Sequence, residues 1–340
     1  MSRFGTAGGT TPDVTSETMA TKSTGSTPII GTIVVAPHHF PDLEREHALA
    51  AEFGVSLVEA PDVETFRAAI ADAAVVMVTP YATLTAEDFP RMRNCLGVVR
   101  YGIGYDNIDV AAATRAGVPV SIVPGTASEE VASHAVAMGL ALNRRLPAGD
   151  AAIRGGAWAG TIGYDTPPVS RLDVGVLGMG RIGQHVARMY TGLGANVRAY
   201  DPFVEVNDYA SGTLTEILES SDIVSLHVPL SNHTREFISA DVLGRMRSGA
   251  IIVNVSRGGL IDEAALADAL NSGHIAGAGI DTFSAEPIPA DHPLRDAPNA
   301  ILTPHIAWRS NQSIGALQAG AVERVRLVLT GRPLIDVVES

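Results

Sequence analysis

The chain has 340 residues, of which 46% are hydrophobic, and a formal net charge of −13. This length predicts two domains with a sizeable core, and the acidic balance disfavours a nucleic-acid surface. The single cysteine, Cys95, excludes an intrachain disulfide framework and any cysteine-pair metal or redox site. Apolar runs are too short to cross a membrane and no signal-peptide pattern begins the chain, so we expect a cytoplasmic protein.

Residues 1–28 are rich in Thr, Ser and Gly and have few apolar side chains, which predicts a disordered tail. After the tail, short β-branched runs alternate with helical patterns, as is typical of a parallel sheet covered by helices. This first series predicts five strands, at 29–36, 56–59, 75–79, 97–100 and 119–123.

The segment 127–146 predicts one long helix, with Ser128 as its cap, acidic residues at its start and arginines at its end. Its Ala and Gly content favours tight helix packing and would also suit a dimer contact. Glu130 and His134 lie four residues apart on this helix, but no further histidine or acid nearby completes a metal site, so we expect no bound metal. The following segment, 147–171, is predicted to be less regular.

A second alternating series starts at Asp173 and predicts six strands, at 173–177, 196–200, 222–227, 250–255, 276–280 and 300–303. A final helix is predicted at 311–330 and ends at Gly331. The two series indicate an α/β protein with two Rossmann-like or flavodoxin-like parallel-sheet domains and a cleft between them.

A dinucleotide fingerprint follows the first strand of the second series. The segment 178–183 reads G-x-G-x-x-G, an amphipathic helix follows it, and an aspartate ends the next strand. Glycines permit a tight turn, the helix N-terminus faces a pyrophosphate, and the aspartate can bind ribose hydroxyls, which favours NAD over NADP. The cofactor-binding residues predicted from the fingerprint are Gly178, Gly180, Arg181, Ile182, Gly183 and Asp201.

Three ionisable residues follow strands of this second series, namely Arg257, Asp281 and His305. Ligands bind at the carboxyl ends of strands in doubly wound sheets. Hydride transfer to a 2-oxo acid needs a cation for the carboxylate, a proton donor, and a group that orients the donor. Arg257, His305 and Glu286 could fill these roles.

The chain resembles the D-isomer-specific 2-hydroxyacid dehydrogenase family over nearly all of its ordered length. The matching segments are GIGYDNID at 102–109, VLGMGRIG at 176–183, NVSRGGLID at 254–262, GAGIDTFSAEP at 277–287 and TPHIAW at 303–308. The resemblance implies that Arg257, Glu286 and His305 are catalytic and that Asp281 lies near the nicotinamide amide. It also implies that the backbone of the loop 102–104 binds the substrate carboxylate, and that Pro229 and Val255 contact the cofactor.

In this family the first sheet and the last helix form the substrate domain. The resemblance therefore implies that residues 29–126 and 308–340 form the substrate domain and that residues 127–307 form an inserted NAD-binding domain. A homodimer through the NAD-binding domain is expected.

At Arg100 and Trp308 the sequence resembles the subgroup of the family that includes the C-terminal binding proteins. Trp308 would then wall the substrate pocket and Arg100 would supply a second cation; an interdomain packing tryptophan and a surface arginine are the alternative. The complete set of substrate-binding residues predicted is Arg100, Tyr101, Gly102, Ile103, Gly104 and Trp308. The pair His38-His39, after the first strand, could face the cleft, but a surface position is favoured.

These features predict an NAD-dependent D-2-hydroxyacid dehydrogenase acting on a small 2-oxo or 2-hydroxy acid. The alternative is an NAD(H)-sensing, corepressor-like binding protein with little turnover. Formate is disfavoured as the substrate, because formate enzymes of this fold carry Gln where Glu286 stands. Phosphite and 3-phosphoglycerate are disfavoured because Ile103 adds no further cation to the carboxylate site.

Overall fold

The computed structural model describes residues 31–339 except Tyr164 and Asn207. The tail predicted at 1–28 lies outside the described residues. In the part that is described, no helix has the length and apolar character needed to cross a membrane.

Five parallel strands form the first sheet. They are β1 (Thr32–Val35), β2 (Ser56–Glu59), β3 (Ala73–Val78), β4 (Gly97–Arg100) and β5 (Val120–Ile122), paired in the order β2-β1-β3-β4-β5. Every residue of the central strand β3 is buried, as expected for a parallel sheet covered on both faces. The five strands predicted for this region are confirmed.

Four helices pack around this sheet. They are α1 (Glu44–Phe53), α2 (Val63–Ala69), α3 (Val110–Arg115) and, from the other end of the chain, α10 (Asn311–Leu329). The predicted final helix is thus confirmed, and Gly331 beyond it adopts φ +66°. α10 packs on α1 and on the first sheet, and the chain end then pairs with β5 through the hydrogen bond from Val338 N to Val120 O.

Seven parallel strands form the second sheet. They are β6 (Asp173–Leu177), β7 (Asn196–Tyr200), β8 (Ala210–Ser211), β9 (Ile223–Leu226), β10 (Ala250–Asn254), β11 (Ile275–Ile280) and β12 (Ala300–Leu302), in the order β12-β11-β10-β9-β6-β7-β8. The six predicted strands are confirmed. The seventh, β8, has only two residues and is too short to produce a sequence pattern.

Six helices accompany the second sheet: α4 (Ser128–Asn143), α5 (Leu146–Arg154), α6 (Arg181–Gly192), α7 (Leu214–Ser220), α8 (Ala240–Arg245) and α9 (Glu263–Asn271). The single long helix predicted for 127–146 is wrong at its end. Arg145 adopts φ +53° and Pro147 opens α5, because proline cannot donate the hydrogen bond that would continue the preceding helix. The segment 147–154 is therefore helical, not irregular.

The predicted cap of α4 is also wrong. Ala127 occupies the N-cap position without a side-chain hydrogen bond, and Ser128 is the first helical residue. The predicted tight packing is present, since a Cβ at Gly139 would overlap the Tyr190 hydroxyl of α6. Small residues on α4 thus let the helix lie close against its neighbours.

The carboxyl ends of both sheets border one cleft of about 630 Å³. Residues 33–123 and 317–329 supply one hydrophobic cluster that covers the first sheet, whereas residues 131–307 supply the clusters of the second. This grouping supports our proposal that the chain passes between two domains near 126–127 and again near 307–308.

Candidate active site

The turn after β6 has the shape that a dinucleotide fingerprint requires. Gly178 adopts φ +94°, and a Cβ at Gly183 would overlap the Gly178 carbonyl oxygen. At Gly180, in contrast, a Cβ would meet no atom within 4 Å, so open space lies in front of the α6 N-terminus. The first turn of α6 has no acidic residue and no side-chain cap, which leaves its N–H groups available to an anion.

Asp201, just after β7, holds this turn in place. Its Oδ2 accepts a hydrogen bond from Met179 N at 2.7 Å, and its Oδ1 accepts from Phe203 N and Val204 N at 2.9 and 3.2 Å. The carboxylate therefore lies beside the fingerprint glycines. Its predicted contact with the ribose stays a prediction.

His305 and Glu286 form a hydrogen-bonded pair, with His305 Nδ1 2.8 Å from Glu286 Oε2. Phe283 N donates to Glu286 Oε1 at 2.9 Å. Burial raises the pKa of Glu286, but the hydrogen bond and charge of His305 outweigh burial and hold this pKa below its usual value. An ionised Glu286 fixes a proton on Nδ1, which leaves Nε2 of His305 to exchange a proton with a ligand.

Asp281 shapes the turn that carries His305. His305 adopts φ +53° and donates its N–H to the Asp281 carbonyl at 2.8 Å. The fully buried Asp281 carboxylate accepts hydrogen bonds from Ile306 N and Ala307 N, both at 2.9 Å. These bonds fix the backbone on either side of the imidazole.

Arg257 reaches from the end of β10 to the loop after β4. Its Nε lies 2.6 Å from Asp106 Oδ1, and its Nη1 donates to the Ser256 carbonyl at 2.7 Å. A side chain at Gly104 would overlap the guanidinium. Burial raises the pKa of Asp106, but the charge and hydrogen bond of Arg257 outweigh burial and keep this pKa low. Sequence reasoning missed Asp106, because its partner lies 151 residues away along the chain.

The loop after β4 presents backbone to the cleft. Gly102 adopts φ +114°, and the Arg100 guanidinium fills the space where a Cβ would stand. Arg100 is buried and donates to the Tyr101 carbonyl, while its Nε has no hydrogen-bond partner among the described residues. Burial and the neighbouring charge of Arg257 lower the pKa of Arg100 to about 9, so the guanidinium is still charged at neutral pH.

The Tyr101 side chain does not face the cleft. Its ring is 2% exposed and its hydroxyl donates to Glu46 at 2.8 Å. Tyr101 can therefore contact a ligand only through its backbone, so the substrate-binding role predicted for it is limited to its backbone groups. Ile103, in contrast, is 54% exposed.

Trp308 lies between the two sheets, beside the cleft. It lines the cleft, and it also packs against hydrophobic clusters of both sheets. Its Nε1 donates to the His305 carbonyl at 3.0 Å. This position is compatible with both roles predicted for Trp308, and its contact with a substrate stays a prediction.

Two histidines after β1, His38 and His39, line the cleft, and His39 is exposed. The His38 side chain is 8% exposed, with Nε2 3.1 Å from Glu59 and Nδ1 accepting from Phe40 N. His39 packs edge-on against Tyr81. The pair therefore faces the cleft, which is one of its two expected positions, while His39 stays exposed to solvent.

His227 is a further cleft residue that sequence reasoning missed. Burial lowers its pKa to about 3, so the ring is neutral, and Nε2 lies 2.8 Å from Ser225 Oγ. Its position directly after β9 is the one signal that the sequence offers. Glu130 and His134, discounted as a metal site, have different partners, Ser310 and Thr303.

The cleft brings together most of the predicted site residues. Four of them, Gly178, Gly183, Asp201 and Glu286, do not line it directly. Glu286 bonds to the lining residue His305, and the other three belong to the fingerprint turn or bond to it. The predicted residues that line it are Arg100, Tyr101, Gly102, Ile103, Gly104, Gly180, Arg181, Ile182, Pro229, Val255, Arg257, Asp281, His305 and Trp308.

Known proteins resemble the chain at both sequence and structure level. It is 37% identical over 296 residues to a D-3-phosphoglycerate dehydrogenase of Mycobacterium tuberculosis, covering 86% of this chain and 56% of that relative. The chain thus spans little more than half of that protein. It is 40% identical over 255 residues to a glyoxylate reductase of Korarchaeum cryptofilum, covering 71% of this chain and 75% of the relative.

A D-lactate dehydrogenase from Aquifex aeolicus, solved with NAD and lactic acid, has the same fold. The TM-score is 0.80 at 27% identity, with 88% of this chain and 96% of that chain covered. Residues 136–307 match the model of the NAD-binding domain of the D-isomer specific 2-hydroxyacid dehydrogenases. These matches confirm the resemblance drawn from the motifs and NAD as the cofactor of the family. The chain belongs to the D-isomer specific 2-hydroxyacid dehydrogenase family.

Proposed function

We propose that this protein is an NAD-dependent D-2-hydroxyacid dehydrogenase, working as a reductase of a small 2-oxo acid or in the reverse direction. The observation that carries the proposal is the His305–Glu286 pair at 2.8 Å, which opens on the same cleft as Arg257 and the fingerprint turn. A proton donor, a carboxylate-binding cation and a dinucleotide site then act on one small molecule.

Arg257 binds the substrate carboxylate in this proposal, together with backbone N–H groups of the loop 102–104. Asp106 and the Ser256 carbonyl hold Nε and Nη1 of Arg257, so the substrate carboxylate would accept from the remaining N–H groups of the guanidinium. His305 gives the Nε2 proton to the C2 oxygen during reduction and removes it during oxidation. Glu286 holds the imidazole by Nδ1 and stabilises its charged form.

The fingerprint turn fits a dinucleotide. The open space at Gly180 and the uncapped α6 N-terminus suit a pyrophosphate, and Arg181 and Ile182 line the cleft beside them. Pro229, Val255 and Asp281 line the same cleft and would contact the remainder of the cofactor. When bound, NAD(H) supplies or accepts the hydride. The acid at Asp201 repels a 2′-phosphate, which favours NAD over NADP.

The size of the substrate is limited by the walls of the cleft. Trp308 stands beside His305 and Arg100 lies behind the carboxylate loop, which favours a small 2-oxo acid with an apolar side chain. The relative named for 3-phosphoglycerate makes the matching phosphorylated 2-oxo acid the main competitor. The corepressor alternative gains no support from these relatives, which are named for enzymes. The likeness to the C-terminal binding proteins stays a prediction.

A homodimer through the NAD-binding domain is part of the proposal. α5 has no buried residue, and Leu146, Ile153 and Trp158 around it are 61%, 57% and 77% exposed. Apolar side chains grouped in this way are typical of an interface. A second copy would cover them, and sedimentation equilibrium gives the subunit number directly.

The experiment that tests the function follows NADH oxidation with a panel of 2-oxo acids. The panel contains glyoxylate, pyruvate, hydroxypyruvate, its phosphorylated form, phenylpyruvate and 4-methylthio-2-oxobutanoate. We expect turnover with at least one unphosphorylated member and a weaker rate with NADPH. Tight NADH binding without turnover of any member would refute the enzyme and favour the cofactor-sensing alternative.

A further inference from the structure

A second imidazole–carboxylate pair lies behind the one at the cleft. His292 Nε2 is 3.0 Å from Glu263 Oε2, and the two side chains are only 10% and 12% exposed. Neither residue lines the cleft. Glu263 opens α9, and His292 ends the long loop after β11 and caps the short helical turn at Pro293–Arg295.

The hydrogen bonds of His292 define which ring nitrogen carries the proton in the neutral imidazole. Its Nδ1 accepts from Leu294 N at 3.3 Å, so that nitrogen carries no proton. In the neutral ring the proton is on Nε2, which donates to Glu263. The imidazole therefore joins the carboxylate of α9 to the end of the loop that carries Glu286, and Phe283 packs edge-on against it at 5.9 Å.

Glu263 also touches that loop near its start. Its Oε1 accepts a hydrogen bond from Ser284 N at 2.8 Å, while Phe283 N donates to Glu286 Oε1 at 2.9 Å. Consecutive backbone N–H groups thus bind two carboxylates. One of these carboxylates orients His305 and the other is held by His292, so the peptide between Phe283 and Ser284 connects the two pairs.

The peptide between Phe283 and Ser284 is also restrained by Gly258. A Cβ at Gly258 would overlap Phe283 C and Ser284 N, so the backbone of the loop lies directly against the residue that follows Arg257. A shift of the loop toward β10 is blocked, and a shift away from β10 is opposed by Glu263. Gly258 and the second pair therefore both restrain the backbone that holds Glu286.

We propose that Glu263 and His292 are positioning residues, which hold the 283–284 backbone so that Glu286 stays within hydrogen-bond distance of His305. This inference rests on the proposed function, because its readout is the proton-transfer step. It predicts that the pair affects turnover through Glu286, without contributing to the binding of NADH or of the 2-oxo acid.

Two variants of His292 separate its two hydrogen bonds. His292→Asn keeps an acceptor at the Nδ1 position, and so keeps the cap on Leu294, but removes the donor to Glu263. His292→Gln places a donor near the Nε2 position. We expect His292→Asn to lower kcat by about tenfold, since small displacements of a catalytic group have effects of that size. KM for the 2-oxo acid and the Kd for NADH should change by less than about twofold, and His292→Gln should recover most of kcat.

A matched control removes an equivalent contact elsewhere in the same sheet. His274 Nε2 lies 3.1 Å from the Leu243 carbonyl, at the opposite edge of the strands. His274→Asn should lower Tm as much as His292→Asn, or more, with kcat unchanged. An equal loss of kcat in both variants would assign His292 a purely structural role and overturn the proposal.

A double-mutant cycle tests the route through Glu286. In a Glu286→Gln background, His292→Asn should cause little further loss of kcat, because the group that it positions is already removed. A full tenfold loss in that background overturns the proposal, as does a raised KM with kcat unchanged, which would indicate a route through Arg257. If the unsubstituted protein reduces no 2-oxo acid, the proposed function itself fails. This outcome is distinct from failure of the positioning role, which is measured on an active protein.

Discussion

The two sheets contribute to the cleft in different ways. The second sheet supplies ionisable side chains held by networks: His305 by Glu286 and Asp281, and Glu286 by the Phe283 backbone. The first sheet supplies mainly backbone and walls, and its Tyr101 side chain turns away to Glu46. Under the proposed function, the second sheet carries the chemistry and the first sheet contributes to selectivity, and the Arg257–Asp106 contact joins the two.

The largest effect is expected from the second sheet. His305→Ala should lower kcat by about 10²–10⁴-fold, because the proton donor is lost, while the Kd for NADH changes little. Stopped-flow turnover and fluorescence titration of NADH measure the two quantities. Turnover equal to that of the unsubstituted protein would contradict the role of His305.

The next effect concerns the carboxylate cation. Arg257→Ala should lower kcat/KM for 2-oxo acids by about 10²–10³-fold, as is typical when one partner of a close charge pair is removed. Most of this loss should appear in KM, which steady-state kinetics with the best member of the panel will show. Arg257→Lys serves as the matched variant and should recover only part of the loss, since lysine lacks the planar fork.

Asp106 tests the contact between the two sheets. Asp106→Asn keeps the shape but removes the charge, so we expect about a tenfold rise in KM for the 2-oxo acid as Arg257 becomes less fixed. Asp109→Asn is the control, because Asp109 belongs to the same loop but caps α3 through Ala112 N, a role that asparagine also fills. Equal KM values in the two variants would contradict a role of Asp106 in fixing Arg257 for substrate binding.

Substrate selectivity should depend on the side chains that line the cleft, and not on the hydrogen bonds that hold His305 and Glu286. Trp308→Ala enlarges the cleft, so kcat/KM for phenylpyruvate should rise relative to glyoxylate, by about tenfold. The ratio of the two substrates, measured in one preparation, cancels any loss of active protein. An unchanged ratio would mean that Trp308 packs between the sheets without contacting the substrate.

The smallest effect is expected at Glu46 in α1, the helix that packs beside the first sheet. Burial raises the pKa of Glu46, and the Tyr101 hydrogen bond only partly opposes this. A carboxyl whose pKa is higher in the folded state stabilises the fold at low pH, and this contribution is lost as pH rises through the raised pKa. Glu46→Gln should therefore flatten the dependence of Tm on pH in that range, and calorimetry across a pH series from acid to neutral will measure it. An identical pH dependence in the two proteins would contradict the role of this carboxyl.

Much of this arrangement could be predicted from the sequence. The strand runs identified both sheets, and the residues directly after them, Arg257 and His305, do line the cleft. The break at Arg145 also has a sequence signal, since Pro147 follows it closely. The contact between Asp106 and Arg257 could not be predicted from the sequence, because the two residues lie far apart along the chain and no sequence pattern relates them.

The position of α10 has a consequence for biosynthesis. This helix covers the first sheet and leaves the ribosome after every strand of the second sheet. Domains generally fold as units during synthesis. The half that is translated first is therefore completed after the second, and part of its apolar face, which includes Val35 and Val99, lacks its cover until residues 317–329 arrive. A nascent chain stalled before α10 should be cleaved readily by protease in the first sheet while the second sheet resists.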